Sequence, residues 1–203
     1  MYRLIALLIG YVIGTIQTAY YVGRLHGIDI RDHGSKSAGM TNVTRTLGKK
    51  MGAVVFLVDI CKCFAAFIIA TLLFGGDGDF PGIYAGIGTV LGHCFPVLLK
   101  FRGGKGVACA LALILMNGWL PAIIAFSFGV VIVAVTRYIS LASLVITLVT
   151  PILMLIFGFG TEAIVLMSAL AVLIWFMHRE NIKRLIRGEE RKFLSKETKK
   201  ETE

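Results

Sequence analysis

The chain is predicted to be an all-α integral membrane protein, a bundle of about seven transmembrane helices with its N-terminus outside and its C-terminus in the cytoplasm. Three observations predict this. Of the 203 residues, 57% carry hydrophobic side chains and 16% are charged, and the mean hydropathy is +0.81, outside the range of water-soluble domains. Crossing a hydrocarbon core takes about 20 apolar residues per helix, and apolar stretches recur near 3–24, 51–74, 82–99, 106–118, 119–137, 140–158 and 161–178. Finally, the basic residues collect in alternate connections between those stretches.

Each stretch carries its own mark. The first begins with Arg3 as a signal peptide would, but runs on through Tyr20, Tyr21 and Val22 without a small-residue cleavage site, so it reads as a mature helix. In the second, Asp59 and Lys62 stand three apart and can pair along one face, which makes their presence among lipid-facing residues tolerable; the pair reads as structural, with a secondary part in holding the nearby loop. Gly82, Gly86, Gly88 and Gly92 in the third give small-residue spacing for close helix packing. The fourth is short. Beyond the seventh, Ile182, Leu185 and Ile186 recur at helical spacing opposite a basic face, the pattern of an interfacial amphipathic helix ending near Gly188. Residues 1–193 thus read as one membrane domain, and 194–203 as a charged tail expected to be disordered. All four cysteines (Cys61, Cys63, Cys94, Cys109) fall in apolar segments as small hydrophobes, and Cys61 and Cys63 point to different faces, which argues against a metal site or disulfide.

Charge orients the bundle. The first connection holds Arg24, Arg31, Lys36, Arg45, Lys49 and Lys50; the third holds Lys100, Arg102 and Lys105; the fifth holds Arg137; the rest of the 21 basic residues, apart from Arg3 and Lys62, follow Met177. The second, fourth and sixth connections hold none, so the odd connections and the C-terminus are placed in the cytoplasm and an odd number of spans follows. The net charge of +9 could suggest nucleic acid, but the basic groups border membrane spans and lack interleaved aromatic platforms, so lipid headgroups are the expected partners. Asn42-Val43-Thr44 matches a glycosylation signal, which has no meaning on the cytoplasmic side.

Four polar patches lie on that side. The first, Gly34 to Gly48, is rich in glycine and hydroxyl residues and carries Arg45: glycines let backbone N–H groups turn toward one point, hydroxyls add donors, and Arg45 can fork onto two phosphate oxygens. In the second, Gly103, Gly104 and Gly106 surround Lys105 just before a new helix, a second anion-binding element that departs from the nucleotide-binding P-loop because no Ser or Thr follows the lysine. In the third, Ser140 and Ser143 stand one helical turn apart, although membrane serines more often bond backbone or neighbouring helices. In the fourth, His178 and Asn181 project from one face where the last helix leaves the bilayer.

In this order the patches resemble the bacterial membrane glycerol-3-phosphate acyltransferases that use acyl phosphate as donor, the PlsY family. The resemblance runs from the first span to about Glu190 and is carried by Gly34-Ser35, Gly39, Thr41-Asn42, Arg45 and Leu47-Gly48; by Gly92-His93 to Gly106; by Ser140 to Ser143; and by His178-Arg179, Asn181, Arg184-Leu185 and Gly188. One departure stands out: the family pattern in the first loop is Gly-Ser-Gly-Asn, whereas here Lys36 and Ser37 take the last two places and Met40 replaces a small residue.

The resemblance implies transfer of a fatty acyl group from acyl phosphate to the 1-hydroxyl of sn-glycerol 3-phosphate, giving lysophosphatidic acid and phosphate, in the bacterial cytoplasmic (inner) membrane with the active site at the cytoplasmic face. It implies that Ser35, Gly39, Thr41 and Asn42 hold the acyl phosphate, that Arg45, Lys105, Ser143, His178 and Asn181 hold glycerol 3-phosphate, and that Arg45, Lys105, His178 and Asn181 carry catalysis. No metal, organic cofactor, nucleic acid or obligatory protein partner is expected. None of His26, His33, His93 and His178 has an aspartate five residues later, so the His-x-x-x-x-Asp general base of other glycerolipid acyltransferases is missing. Because acyl phosphate is already activated, no covalent acyl-enzyme is expected. The competing reading is a small multi-pass transporter of an anionic metabolite, against which stand the lack of a clear internal repeat and the gathering of polar groups at one face.

Overall fold

The structure, a computed structural model, describes residues 1–75 and 80–193; the tail predicted at 194–203 lies outside the described residues. Among the described residues ten α-helices follow one another: α1 (Tyr2–Gly14), α2 (Thr18–Leu25), α3 (Met40–Leu47), α4 (Lys49–Phe74), α5 (Phe80–Cys94), α6 (Val107–Asn117), α7 (Trp119–Thr136), α8 (Ile139–Ile156), α9 (Thr161–Met177) and α10 (Arg179–Ile186). Five segments are long and apolar enough to cross a bilayer: Tyr2–Leu25, Lys49–Phe74, Phe80–Leu99, Trp119–Thr136 and Ile139–Ile156. A sixth is made by α9 with α10, bent by 64° at His178. The fourth apolar stretch forms α6, whose 11 residues reach only about 16 Å, half a hydrocarbon core. The outward faces are apolar: Val12, Leu57, Leu72, Val135, Leu155 and Val172 are each more than half exposed, which suits lipid and not water.

Close backbone contact between α1 and α5 sets the interior. Cβ atoms built on Gly10 and Gly14 of α1 would run into the backbone of Ala85 and Thr89, and ones on Gly88 and Gly92 of α5 into that of Leu7 and Tyr11. The expected small-residue packing is therefore real, but its partners divide. Gly82 accommodates Phe67 of α4 and Gly86 accommodates Leu113 of α6, while Gly88 and Gly92 receive α1.

The first apolar stretch is broken. Its helix stops at Gly14 and restarts at Thr18, which frees carbonyls that Lys62 of α4 takes up: Nζ lies 2.7 Å from Ile16 O and 3.3 Å from Gly14 O. Lys62 also pairs with Asp59 at 2.8 Å, the expected ion pair, and both side chains are buried. The ends of the bundle differ. At one end Arg3 pairs with Glu162 at 2.7 Å and Tyr84 donates to the same carboxylate at 2.9 Å, joining the starts of α1, α5 and α9. At the other end lie the polar patches.

Candidate functional site

Four helix starts meet at that second end. The first residues of α3 (Met40, Thr41), α6 (Val107, Ala108) and α8 (Ile139, Ser140), with His178 and Asn181 at the start of α10, line one cavity of about 260 Å³. Opening N–H groups of a helix have no acceptor within it, and the dipole is positive there, so converging helix starts favour an anion before any side chain is counted. Side chains reinforce this. Lys36, Arg45, Lys105, Arg184 and Arg191 line the same space.

All nine residues singled out in the sequence border this cavity: Ser35, Gly39, Thr41, Asn42, Arg45, Lys105, Ser143, His178 and Asn181. They come from separate connections that the glycine contacts and helix ends draw together. Their bonding differs. Asn42 is buried and spent on its own loop: Nδ2 shares its two protons among Ile30 O (3.0 Å), His33 O (3.0 Å) and Ser37 O (3.1 Å), and Oδ1 accepts from Ser35 N (2.9 Å). The loop's backbone is likewise less open than expected, because the N–H groups of Lys36, Ala38 and Gly39 bond His33 O, Gly103 O and Ser37 O. The remaining donors come from the start of α3 and from side chains. Lys36 stands in the left-handed conformation (φ 58°) at the place where the family pattern has glycine.

The two glycine-bearing loops are tied together. Ala38 N donates to Gly103 O (3.4 Å), Gly104 N to His93 O (3.1 Å), and Arg31 Nη1 to Leu99 O (3.2 Å). Arg31 also grips Asp29, and its hydrogen bonds hold that carboxyl down at about 2. On the other side of the cavity Lys105 donates to Asn181 Oδ1, whose Nδ2 donates to Glu190 Oε1 at 2.8 Å. Burial pushes the Lys105 ammonium down to about 8, with Glu190 raising it and Arg184 and Arg45 lowering it. His178 is buried with Nδ1 2.8 Å from Ile174 O; a carbonyl can only accept, so Nδ1 carries the proton and Nε2 is the acceptor of the neutral ring. Ser143 Oγ donates to Ile139 O at 2.9 Å, the backbone bond that membrane serines favour.

Three contributors escaped the sequence reading. Glu190 folds back from the end of α10, accepting from Ser140 Oγ (3.0 Å), Asn181 Nδ2 (2.8 Å) and Arg184 Nε (2.9 Å). Its segment closes over the cavity, with Arg45 Nη2 donating to Arg191 O (3.2 Å) and Phe193 N to Arg137 O (2.7 Å). Asp59 and His93 line the cavity from α4 and α5. Their signal was available, since ionisable groups inside membrane segments tend to be functional.

Fold and site together define a helical membrane protein with a positively polarised cavity at one end of its bundle. The profile of the glycerol-3-phosphate acyltransferase family matches residues 4–188. The chain is 41% identical over 193 residues to a glycerol-3-phosphate acyltransferase of Thermoanaerobacter sp. (strain X514), covering 95% of this chain and 96% of that one. It is 37% identical to the enzyme of that name from Aquifex aeolicus (strain VF5), covering 95% and 100%. Two crystal structures of PlsY (YgiH), an integral membrane glycerol 3-phosphate acyltransferase, superpose on it. The glycerol 3-phosphate form gives a TM-score of 0.87 at 37% identity over 94% of this chain and 95% of that one. The lysophosphatidic acid form gives 0.84 at 36% over 94% of both. This chain belongs to the glycerol-3-phosphate acyltransferase family.

Proposed function

We propose that the protein transfers a fatty acyl group from acyl phosphate to the 1-hydroxyl of sn-glycerol 3-phosphate, forming lysophosphatidic acid and inorganic phosphate in phospholipid biosynthesis. The observation that carries this reading is the gathering of all nine residues around one cavity toward which four helix starts point. Both substrates bear phosphate, and the cavity brings Lys36, Arg45 and Lys105 to meet them. Apolar Met40, Phe56, Val107 and Ile139 on its walls suit the first carbons of the acyl chain.

In this reading the hydroxyl oxygen attacks the acyl carbonyl carbon, the carbon–oxygen bond to phosphate breaks, and its electron pair leaves on phosphate. A phosphate oxygen of the donor takes the hydroxyl proton, so no acyl-enzyme forms. The protein contributes alignment and charge neutralisation. Ser35, Gly39 and Thr41 hold the acyl phosphate, and Asn42 acts by shaping their loop. Arg45, Lys105, Ser143, His178 and Asn181 hold glycerol 3-phosphate, with the neutral His178 Nε2 accepting from a glycerol hydroxyl. Arg45 and Lys105 neutralise the charge that develops on the leaving phosphate.

Residues 1–193 act as one unit, crossing the bacterial cytoplasmic membrane seven times with the N-terminus outside. The helix ends at the cavity come from the connections that hold most of the basic residues, and the positive-inside rule then supports a site on the cytoplasmic face. The test is direct: purified protein in liposomes, given acyl phosphate and glycerol 3-phosphate, should release phosphate and lysophosphatidic acid in equal amounts. Phosphate release that ignores glycerol 3-phosphate would sink the assignment.

A further inference from the structure

The chemistry above leaves a charged network at the inner wall of the cavity unused. His93, near the end of α5, is 3% exposed and borders the cavity together with Asp59. Its Nδ1 lies 2.9 Å from Lys62 Nζ. The same ammonium lies 2.7 Å from Ile16 O, 2.8 Å from Asp59 Oδ1 and 3.3 Å from Gly14 O, so it is surrounded by acceptors. An ammonium cannot accept, so Nδ1 offers its lone pair and the ring proton resides on Nε2. Asp59 is 3.6 Å from Nδ1, too far to take that proton position instead.

Nε2–H therefore points away from Lys62, and it makes no hydrogen bond among the described residues. One side of the ring packs closely on a glycine: a Cβ on Gly104 would collide with His93 Nε2 and come within 2.5 Å of Ala38 O. That contact lies where the two glycine-bearing loops are stitched together by Ala38 N to Gly103 O and by Gly104 N to His93 O. The imidazole thus stands where the two loops join, at the wall of the cavity.

We propose that His93 is a further substrate-binding residue, donating from Nε2 to a phosphate oxygen held in the cavity it borders, and that Lys62 is the positioning residue that fixes its tautomer. The inference rests on the assignment of the cavity to phosphate-bearing substrates. Lys62 is held by Asp59 and by the carbonyls freed at the break between α1 and α2, so the break, the ion pair and the ring form one support. The charged pair inside the membrane thereby acquires a part in substrate binding beyond packing.

The probe is inorganic phosphate, the reaction product, as an inhibitor of the full-length enzyme in detergent micelles. His93→Leu should weaken phosphate inhibition on the order of 10-fold or more. His93→Gln, whose amide N–H reaches near the position of Nε2, should recover most of it. Inhibition in the Leu variant within about twofold of wild type overturns the inference, as does a Gln variant no better than Leu. Arg45→Ala serves as the reference: if it too leaves phosphate inhibition unchanged, the phosphate reading of the cavity falls; if only the His93 variants are silent, this inference falls alone. Should the Leu variant fail to fold, nitrogen-15 histidine spectra of the wild type decide the matter. His93 must show a protonated Nε2 whose resonance moves on phosphate addition, and an unmoved resonance at saturating phosphate overturns the proposal.

Discussion

Lys105 offers the sharpest test of the electrostatics, because burial brings its titration to about 8, within reach of an ordinary assay. Below that pH it is an ammonium that can meet a phosphate dianion; above it the group is a neutral amine and the attraction is lost. Rising pH therefore removes activity. In the free enzyme kcat/KM for glycerol 3-phosphate should be near its plateau at about pH 7, drop to about half near pH 8 and to roughly a tenth at pH 9, falling about tenfold per unit beyond. A bound phosphate holds the proton on the lysine, so kcat at saturating substrate should persist to higher pH. Lys105→Arg keeps the cation at all these pH values and should abolish the alkaline fall, although at a lower plateau because a planar fork does not reproduce a point charge. Lys105→Met should lower turnover on the order of 10²-fold. The assay is initial-rate phosphate release in liposomes, corrected for spontaneous hydrolysis of acyl phosphate at each pH. A wild-type profile flat to about pH 9.5, or the same alkaline fall in the Arg variant, would refute the reasoning.

Other perturbations probe the remaining parts. Arg45→Ala should cost on the order of 10²-fold or more in turnover while the protein still inserts and folds; a near-wild-type rate in detergent or liposomes removes Arg45 from the site. Asn42→Ala deletes the amide hydrogen bonds that shape the first loop and should lower stability by about 3 kcal/mol, read as a fall in Tm with weakened phosphate inhibition; an unchanged Tm would mean the loop holds itself. Lys36→Gly relieves a left-handed residue and should raise stability by about 1 kcal/mol, which a lower or equal Tm contradicts. Gly92→Leu should drive α1 from α5 and abolish the folded yield, whereas Gly160→Ala, whose Cβ meets open space, should be neutral in the same detergent-stability measurement.

Much of this molecule was legible without coordinates. Apolar runs long enough to cross a bilayer, the short fourth stretch that became α6, the amphipathic α10 and the Asp59–Lys62 pair all follow from patterns within a helix or between residues a turn apart. The nine candidate residues that border the cavity were legible for a related reason: glycine, hydroxyl, amide and basic residues are conspicuous wherever they interrupt a hydrophobic chain. What stayed hidden depends on contacts between distant segments. Nothing local to Glu190 reveals that it turns back onto Ser140, Asn181 and Arg184. Nothing near Gly14 announces that the helix opens there for a lysine 48 residues away.

By itself, the sequence determined the helical membrane class, the segregation of positive charge and the kind of ligand the polar patches could meet, because hydropathy, charge and propensity are summed along the chain. Only the tertiary structure decided that four helix starts share one cavity, that Asn42 serves its loop, and that His93 is oriented by Lys62. Those outcomes turn on which backbones approach closely, and that is set by glycine faces on α1 and α5 whose partners lie more than 70 residues apart in the chain.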